Sequence, residues 1–263
     1  MKRFLMIAAV AAVGATSANA ADLAATIYSK APAFTWTGFY VGGNVGAIWS
    51  NDPSFGVSTP GTGAPFFGPA DAALIGANGS GTFGRQRTFT FGAQAGYNYQ
   101  LDRTVFGFEV DEGRWSLNRN ITGTVLTAGG LETVNTSLTS DILVTFRARL
   151  GYTFDRSLFY VTGGGAYANI TYAQSTSFAG VPTVDNATSK SGQLGWTIGA
   201  GAEYAIDPHW SVKGEYLYVA FPSRNFTTNP VAPVGAPATV PFTHTVSAIN
   251  ANIAKLGVNY RFD

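Results

Sequence analysis

The chain has 263 residues, of which 12% are charged and 14% aromatic, and it contains no cysteine and a net charge of +1. A soluble domain carries about 25% charged residues, so the composition argues against a surface that faces only water, while the length admits one domain or two. Near-neutral charge without a basic run excludes an electrostatic footprint for nucleic acid, and the lack of cysteine excludes a disulfide framework or a thiolate metal site.

Lys2 and Arg3 precede an apolar run from Phe4 to about Ala15, and Ala18, Asn19 and Ala20 supply a small-x-small pattern, which predicts a signal peptide over 1–20 cleaved after Ala20. The run falls short of the roughly 18 residues that a spanning helix needs. Residues 21–33 read as a periplasmic lead, and 34–263 as the folded domain. No later segment is long and apolar enough to span a membrane as a helix. A mature membrane protein must then be a closed β-barrel, because only helices and barrels satisfy every backbone group in hydrocarbon.

The rest of the chain alternates with period two. In Phe34 to Trp49, Phe39, Val41, Val45, Ala47 and Trp49 oppose Tyr40, Gly42, Asn44 and Gly46. A second segment, Thr88 to Tyr99, and a third, Val105 to Trp115, repeat the pattern, the third with Phe106, Phe108 and Val110 on one face and Glu109 and Asp111 on the other. Ile142 to Phe154 sets aliphatic and aromatic residues against Arg147 and Arg149. Leu158 to Ile170 follows, blurred by a glycine run, with Phe159, Val161 and Tyr167 expected outward. Ser191 to Ile206 and Trp210 to Phe221 place Glu203, Lys213 and Glu215 on the polar face. The last strand puts Lys255 and Arg261 on that face, but Ile249, Ala251 and Ile253 sit in the opposite phase, which predicts a bulge near Ala254 or a later start of pairing.

A soluble sheet buries its oily face; a barrel in lipid turns that face outward. With long stretches (about 50–87, 116–140, 171–190 and 222–245) alternating with short turns, the eight segments predict an all-β fold, an eight-stranded antiparallel transmembrane up-and-down barrel with short periplasmic turns and long extracellular loops. Within the first loop, Ser54 to Val57 and Gly81 to Gly84 are candidates for short extra strands.

By parity, a lumenal charge network would comprise Glu109, Asp111, Arg147, Arg149, Glu203, Lys213, Glu215, Lys255 and Arg261. Opposite signs on neighbouring strands can pair, and an eight-stranded interior is just wide enough for side chains to fill it. The alternative is a narrow path opened when the pairs break, for which the inward glycines Gly42, Gly46, Gly92, Gly96, Gly195, Gly199 and Gly201 would leave room, room that would equally admit large side chains opposite. Trp36, Trp49, Trp115, Trp196 and Trp210 fall near strand ends, where aromatic girdles sit at the membrane interface, although Trp36 and Trp115 are off the lipid-facing phase and an inward position is their alternative. Of the two histidines, His209 lies on a short turn and His244 in the last long loop, on opposite sides of the membrane, so a metal site or a catalytic triad using both is not expected. His244 alone, with a loop carboxylate and hydroxyl, is the weak case for an outer-membrane acyltransferase or protease. No cofactor is expected. Arg85, Arg87, Arg114, Arg119, Lys190 and Arg224 gather near the expected outer rim, where pairing with lipopolysaccharide phosphates competes with simple solvation.

Several strings carry a family resemblance: Trp36–Asn44 (WTGFYVGGN), Arg147–Tyr152 (RARLGY), Tyr160–Gly164 (YVTGG), Gly195–Tyr204 (GWTIGAGAEY) and Trp210–Tyr218 (WSVKGEYLY). Across nearly all of the mature chain the sequence resembles the RopB-type small outer-membrane barrels of alphaproteobacteria, the porin-family or opacity-like proteins. The resemblance implies an eight-stranded barrel in the cell outer membrane without enzymatic activity, with roles in envelope integrity and cell-surface interaction; a narrow porin and a surface receptor or adhesin working through its loops are the alternatives. It also implies contact with outer-membrane lipid and insertion by the barrel assembly machinery, which reads a terminal aromatic residue; here Asp263 follows Phe262.

Overall fold

The computed structural model describes residues 34–58, 69–127, 130–178, 181–229 and 241–262. The expected signal peptide and lead, residues 1–33, lie outside the described residues, as does Asp263.

Eight strands close into an antiparallel barrel: β1 (Gly38–Ser50), β4 (Arg87–Leu101), β5 (Thr104–Thr127), β6 (Gly130–Phe154), β7 (Ser157–Phe178), β8 (Val181–Ala205), β9 (Trp210–Phe221) and β12 (Ile249–Arg261), with β1 and β12 sealing the seam. Closure follows from the medium, since an open edge in hydrocarbon leaves a row of backbone donors and acceptors without partners. The band facing out is apolar: Phe39, Phe89, Phe91, Phe108, Phe146, Phe159, Leu194 and Leu256 are all exposed. At one end the strands are joined by tight turns. Asp102 and Asp155 each take a positive φ there, 53° and 52°, a conformation that aspartate tolerates better than most residues because its short side chain bonds the local backbone.

At the other end the connections are not loops. β6 and β8 each run for 25 residues, more than twice the roughly 9–11 that cross a bilayer. Residues 117–127 pair with 130–140, and 171–178 with 181–190, so most of the second and third expected loops are a continuation of β5 to β8 as a standing wall. Along β5 the outward row changes from Phe106, Phe108 and Val110 through the charged Glu112 and Arg114 to Ser116, Asn118, Asn120, Thr122 and Thr124, and that change marks where lipid gives way to water.

The first and fourth connections build a second sheet of four strands in the order β10-β11-β2-β3, from β2 (Ser54–Ser58), β3 (Gly81–Thr82), β10 (Arg224–Thr228) and β11 (Phe242–Val246). Helix α1 (Pro69–Asn78) joins β2 to β3, and its Ile75 packs with Val57 and Phe242. β2 and β3 occupy the two stretches that the sequence marks as candidates for extra strands.

The expected bulge near Ala254 is absent: β12 pairs in unbroken register with both β1 and β9 from Ala251 to Tyr260. Ile249, Ala251 and Ile253 point inward with Lys255 and Asn259, opposite Phe221, Val219 and Leu217. The phase never slips; the lumen itself changes from ionic to apolar with height. A bulge does occur on β6, where Asp141 and Ile142 both face out while Ser140 and Leu143 both face in, and the register shifts there against both neighbours.

Candidate functional site

Among the described residues, the barrel strands bring their charged side chains together in the lumen. Four carboxylates, Glu109, Asp111, Glu203 and Glu215, meet four cations, Arg147, Arg149, Lys213 and Lys255, all buried. Cross-strand register brings them together: Glu109 stands opposite Arg147, Glu203 opposite Lys213, and Glu215 opposite Lys255. The ion pairs, however, follow the geometry of the cylinder more than the ladder.

Glu109 is the hub. Its Oε1 lies 2.5 Å from Arg147 Nη2, and Lys213 Nζ donates to both oxygens at 2.9 and 2.8 Å. Tyr40 Oη donates to Oε2 at 2.7 Å, and Arg149 Nη1 lies 3.7 Å from the same oxygen. Arg147 spans from Glu109 to Glu215, with Nη1 2.9 Å from Oε2. Arg149 reaches Glu203 at 2.9 Å and lies 3.8 Å from the centroid of the Tyr160 ring. Glu203 accepts further bonds from Ser211 at 2.6 Å and Asn259 at 2.7 Å. One layer up, Lys255 pairs with Asp111, which also accepts from Asn44 at 2.8 Å. A buried charge is costly unless it is paired and its remaining valences are filled. The set is balanced in charge and supplemented by Tyr40, Asn44, Tyr160, Ser211 and Asn259, while Arg147 Nε and Arg149 Nε meet no hydrogen-bond acceptor among the described residues.

Arg261 is placed elsewhere. Its guanidinium lies 4.5 Å from the centroid of Phe34 and 5.9 Å from that of Trp36 at the rim that carries the tight turns, apart from the layer of Glu109. Nearby, the turn carboxylate of Asp207 accepts the backbone N–H groups of Trp210 and His209, which hold it below the usual carboxylate range.

The tryptophans divide. Trp49, Trp196 and Trp210 are 37%, 53% and 47% exposed on the outer face, whereas Trp36 and Trp115 are 2% and 1% exposed and belong to the interior. Neither of the latter two is a membrane-interface residue. Trp36 closes the mouth at the tight-turn end against Val105, Leu158, Tyr160 and Ala205, and its backbone N–H donates to Gln100 Oε1 at 2.8 Å. The cavity remaining beside it holds about 10 Å³, room for about one water. Trp115 stacks on Phe221 at 5.7 Å in the apolar layer above the charges, and that layer runs on through Leu143, Leu217 and Ile253 to Phe55, Phe83 and Tyr172 at the cap.

The inward glycines accommodate these large side chains. A β-carbon at Gly201 would lie 2.5 Å from Tyr160 Oη, at Gly199 2.6 Å from Leu217 Cδ2 and at Gly195 2.7 Å from Phe221 Cδ1; at Gly96 it would collide with Tyr40.

The histidines are far apart, as the topology requires. His209 stacks on Tyr260 at the turns, with ring centroids 5.7 Å apart. His244 is fully buried in the cap, its ring nitrogens 2.9 Å from Thr228 Oγ1 and 2.8 Å from Gln174 Oε1, with Phe226 stacked on it. A hydroxyl is present, but an amide stands where a triad would place its carboxylate, and the ring has no exposed surface.

The family model described as outer membrane protein beta-barrel domain matches residues 8–262. The chain belongs to this family. A relative in it is the 31 kDa outer-membrane immunogenic protein of Brucella melitensis biotype 1, 33% identical over 268 residues that cover 98% of this chain and 99% of that protein. The 22 kDa outer membrane protein of Rhizobium leguminosarum bv. viciae is 27% identical over 201 residues, covering 74% of this chain and 69% of its own. Among solved structures, the outer membrane protein OprG from Pseudomonas aeruginosa aligns over 87% of this chain and 97% of its own, with a TM-score of 0.49 and 11% identity. The protein is thus an outer-membrane barrel, and its tight turns lie on the periplasmic side as in other barrels of that membrane.

Proposed function

We propose that this outer-membrane barrel is a non-enzymatic, non-conducting structural protein that contributes to envelope integrity and presents a rigid surface outside the cell. One observation carries the reading: the lumen is filled in succession by Trp36, a charge-balanced ionic layer and an apolar layer continuous with the cap. A solute would have to break several buried ion pairs at once, each break leaving a charge without its partner. The outward reading rests on the wall of β5 to β8 and the sheet packed on it, which are regular structure and so offer a fixed shape to whatever meets the surface.

Planar-bilayer recording on the refolded chain tests this. No steady conductance is expected at neutral pH; a sustained, solute-sized current would overturn the proposal in favour of a narrow porin.

A further inference from the structure

Where β12, β1 and β4 reach the outer rim, two grooves lie one above the other on the outside of the barrel. The upper one, about 440 Å³, is lined by Trp49, Arg85, Arg87, Tyr218, Asn250 and Asn252, among others. The lower one, about 570 Å³, is lined on its lipid side by Gly43, Val45, Phe91, Val212, Leu256 and Val258. β1 and β12 contribute to both. Val45 and Trp49 are four residues apart on the same face of β1, about 13 Å along the strand.

We propose that this double groove binds one phosphorylated glycolipid of the outer leaflet, with an acyl chain in the lower trough and a headgroup phosphate on Arg85 and Arg87. The chemistry of the two halves differs in the way an amphiphile does. The trough is open because Gly43 leaves a gap in the outward row of β1, where a β-carbon would meet only the Gly92 carbonyl at 3.8 Å, and it is apolar because Val45, Phe91, Val212, Leu256 and Val258 surround that gap. The upper groove has a tryptophan on its floor and asparagines on β12, where the lower positions of the same outward row are Leu256 and Val258. Register sets Arg87 directly across from Trp49, so its guanidinium starts at the level where the aromatic belt ends.

Arg85 and Arg87 are exposed, and among the described residues neither makes an ion pair. Arg114, exposed on the outward face of β5 with Glu112 two residues before it, lines neither groove but adds a third cation on the neighbouring part of the wall. The groove's own carboxylate, Asp52, is engaged locally, its Oδ1 accepting the Gly84 N–H at 2.7 Å. Arg119 does not point at the groove; its Nη2 donates to the Arg85 carbonyl at 2.6 Å and braces the segment that carries the other two. Arginine forks match phosphate oxygens bidentately, and a headgroup site next to the hydrocarbon makes such pairs stronger than they are in open water.

The site does not depend on whether the lumen conducts, and its test is separate. The full chain is refolded in detergent micelles, and bound lipid is measured by native mass spectrometry with bis-phosphorylated lipid A, with the same lipid stripped of phosphate, and with phosphatidylglycerol. The wild-type chain is expected to retain bis-phosphorylated lipid A alone. The triple substitution R85Q/R87Q/R114Q is expected to weaken retention about tenfold or more, by loss of charge-assisted bonds. Gly43→Leu, which fills the trough without straining the strand, is expected to weaken it too while leaving the preference for phosphate intact. K190Q/R224Q, which removes cations outside both grooves, should change nothing. Retention by the triple variant within about twofold of wild type, equal binding of the phosphate-free lipid, or equal binding of phosphatidylglycerol would each overturn the proposal. Displacement by millimolar inorganic phosphate would do the same, reducing the site to a general anion patch.

Discussion

Glu109 holds two arginines, a lysine and a tyrosine around one carboxylate in a space without bulk water. Its removal is costly because the cations left behind cannot be hydrated. Glu109→Gln is expected to destabilise the barrel by about 3–5 kcal/mol, measured by urea unfolding from lipid vesicles. Adding Lys213→Met, which removes one stranded cation, should recover part of that loss; strictly additive losses would mean that the charges are not coupled. The tryptophans give a second check at this scale. In chains retaining a single tryptophan, brominated lipid should quench Trp49, Trp196 and Trp210 and spare Trp36 and Trp115, as their exposures require. Strong quenching at Trp115 would invert the facing of β5.

β6 illustrates how one strand serves three environments. Below its bulge Arg147 and Arg149 point into the ionic layer; above it Val134 and Leu138 point into the core under the cap. Because side chains alternate with period two, one extra outward residue at Asp141 and Ile142 reverses the parity between those halves. Deletion of Asp141 should therefore leave plain alternation through Ser140, Ile142 and Leu143, with Leu138 and the arginines still facing inward. The expected result is retention of the compact, heat-modifiable form on gels after refolding; loss of that form would show that the bulge itself, and not parity alone, is required. The extended parts of β5 to β8 look like loops in sequence because Thr, Ser, Asn and Gly dominate them, and these residues mark turns as well as water-facing strands.

At the scale of the molecule, the barrel and the cap share one continuous apolar core, from Trp115 and Phe221 in the lumen to Phe55, Phe83 and Tyr172 outside the bilayer. His244 and Gln174 tie the cap to the wall, and Gln174 Nε2 also donates to the Gly79 carbonyl at 3.1 Å and to Thr136 Oγ1 at 2.9 Å. On the proposed function, closure of the lumen and a fixed outer surface both follow from this packing. The absence of steady conductance and the phosphate dependence of lipid retention are the two measurements that belong to this scale.

The amino-acid pattern by itself determined the eight barrel strands, their facing at membrane depth and, apart from Arg261, the side chains of the ionic layer, because a two-residue period read against a sparse charge count leaves little freedom in lipid. Asp111, Arg147 and Glu203 were each legible from parity alone. Only the tertiary structure decided what fills the upper lumen, where Ile249, Ala251 and Ile253 meet Leu217, Val219 and Phe221 across the register of β12 and β9. The physical reason is that period two tells which side of a strand a residue faces, not whether that side is dry. The same limit hid Arg261 as a rim residue beside Trp36, and left open whether Trp36 turns inward and whether the inward glycines seat side chains such as Tyr40 and Tyr160, since each depends on a neighbour far away in the chain.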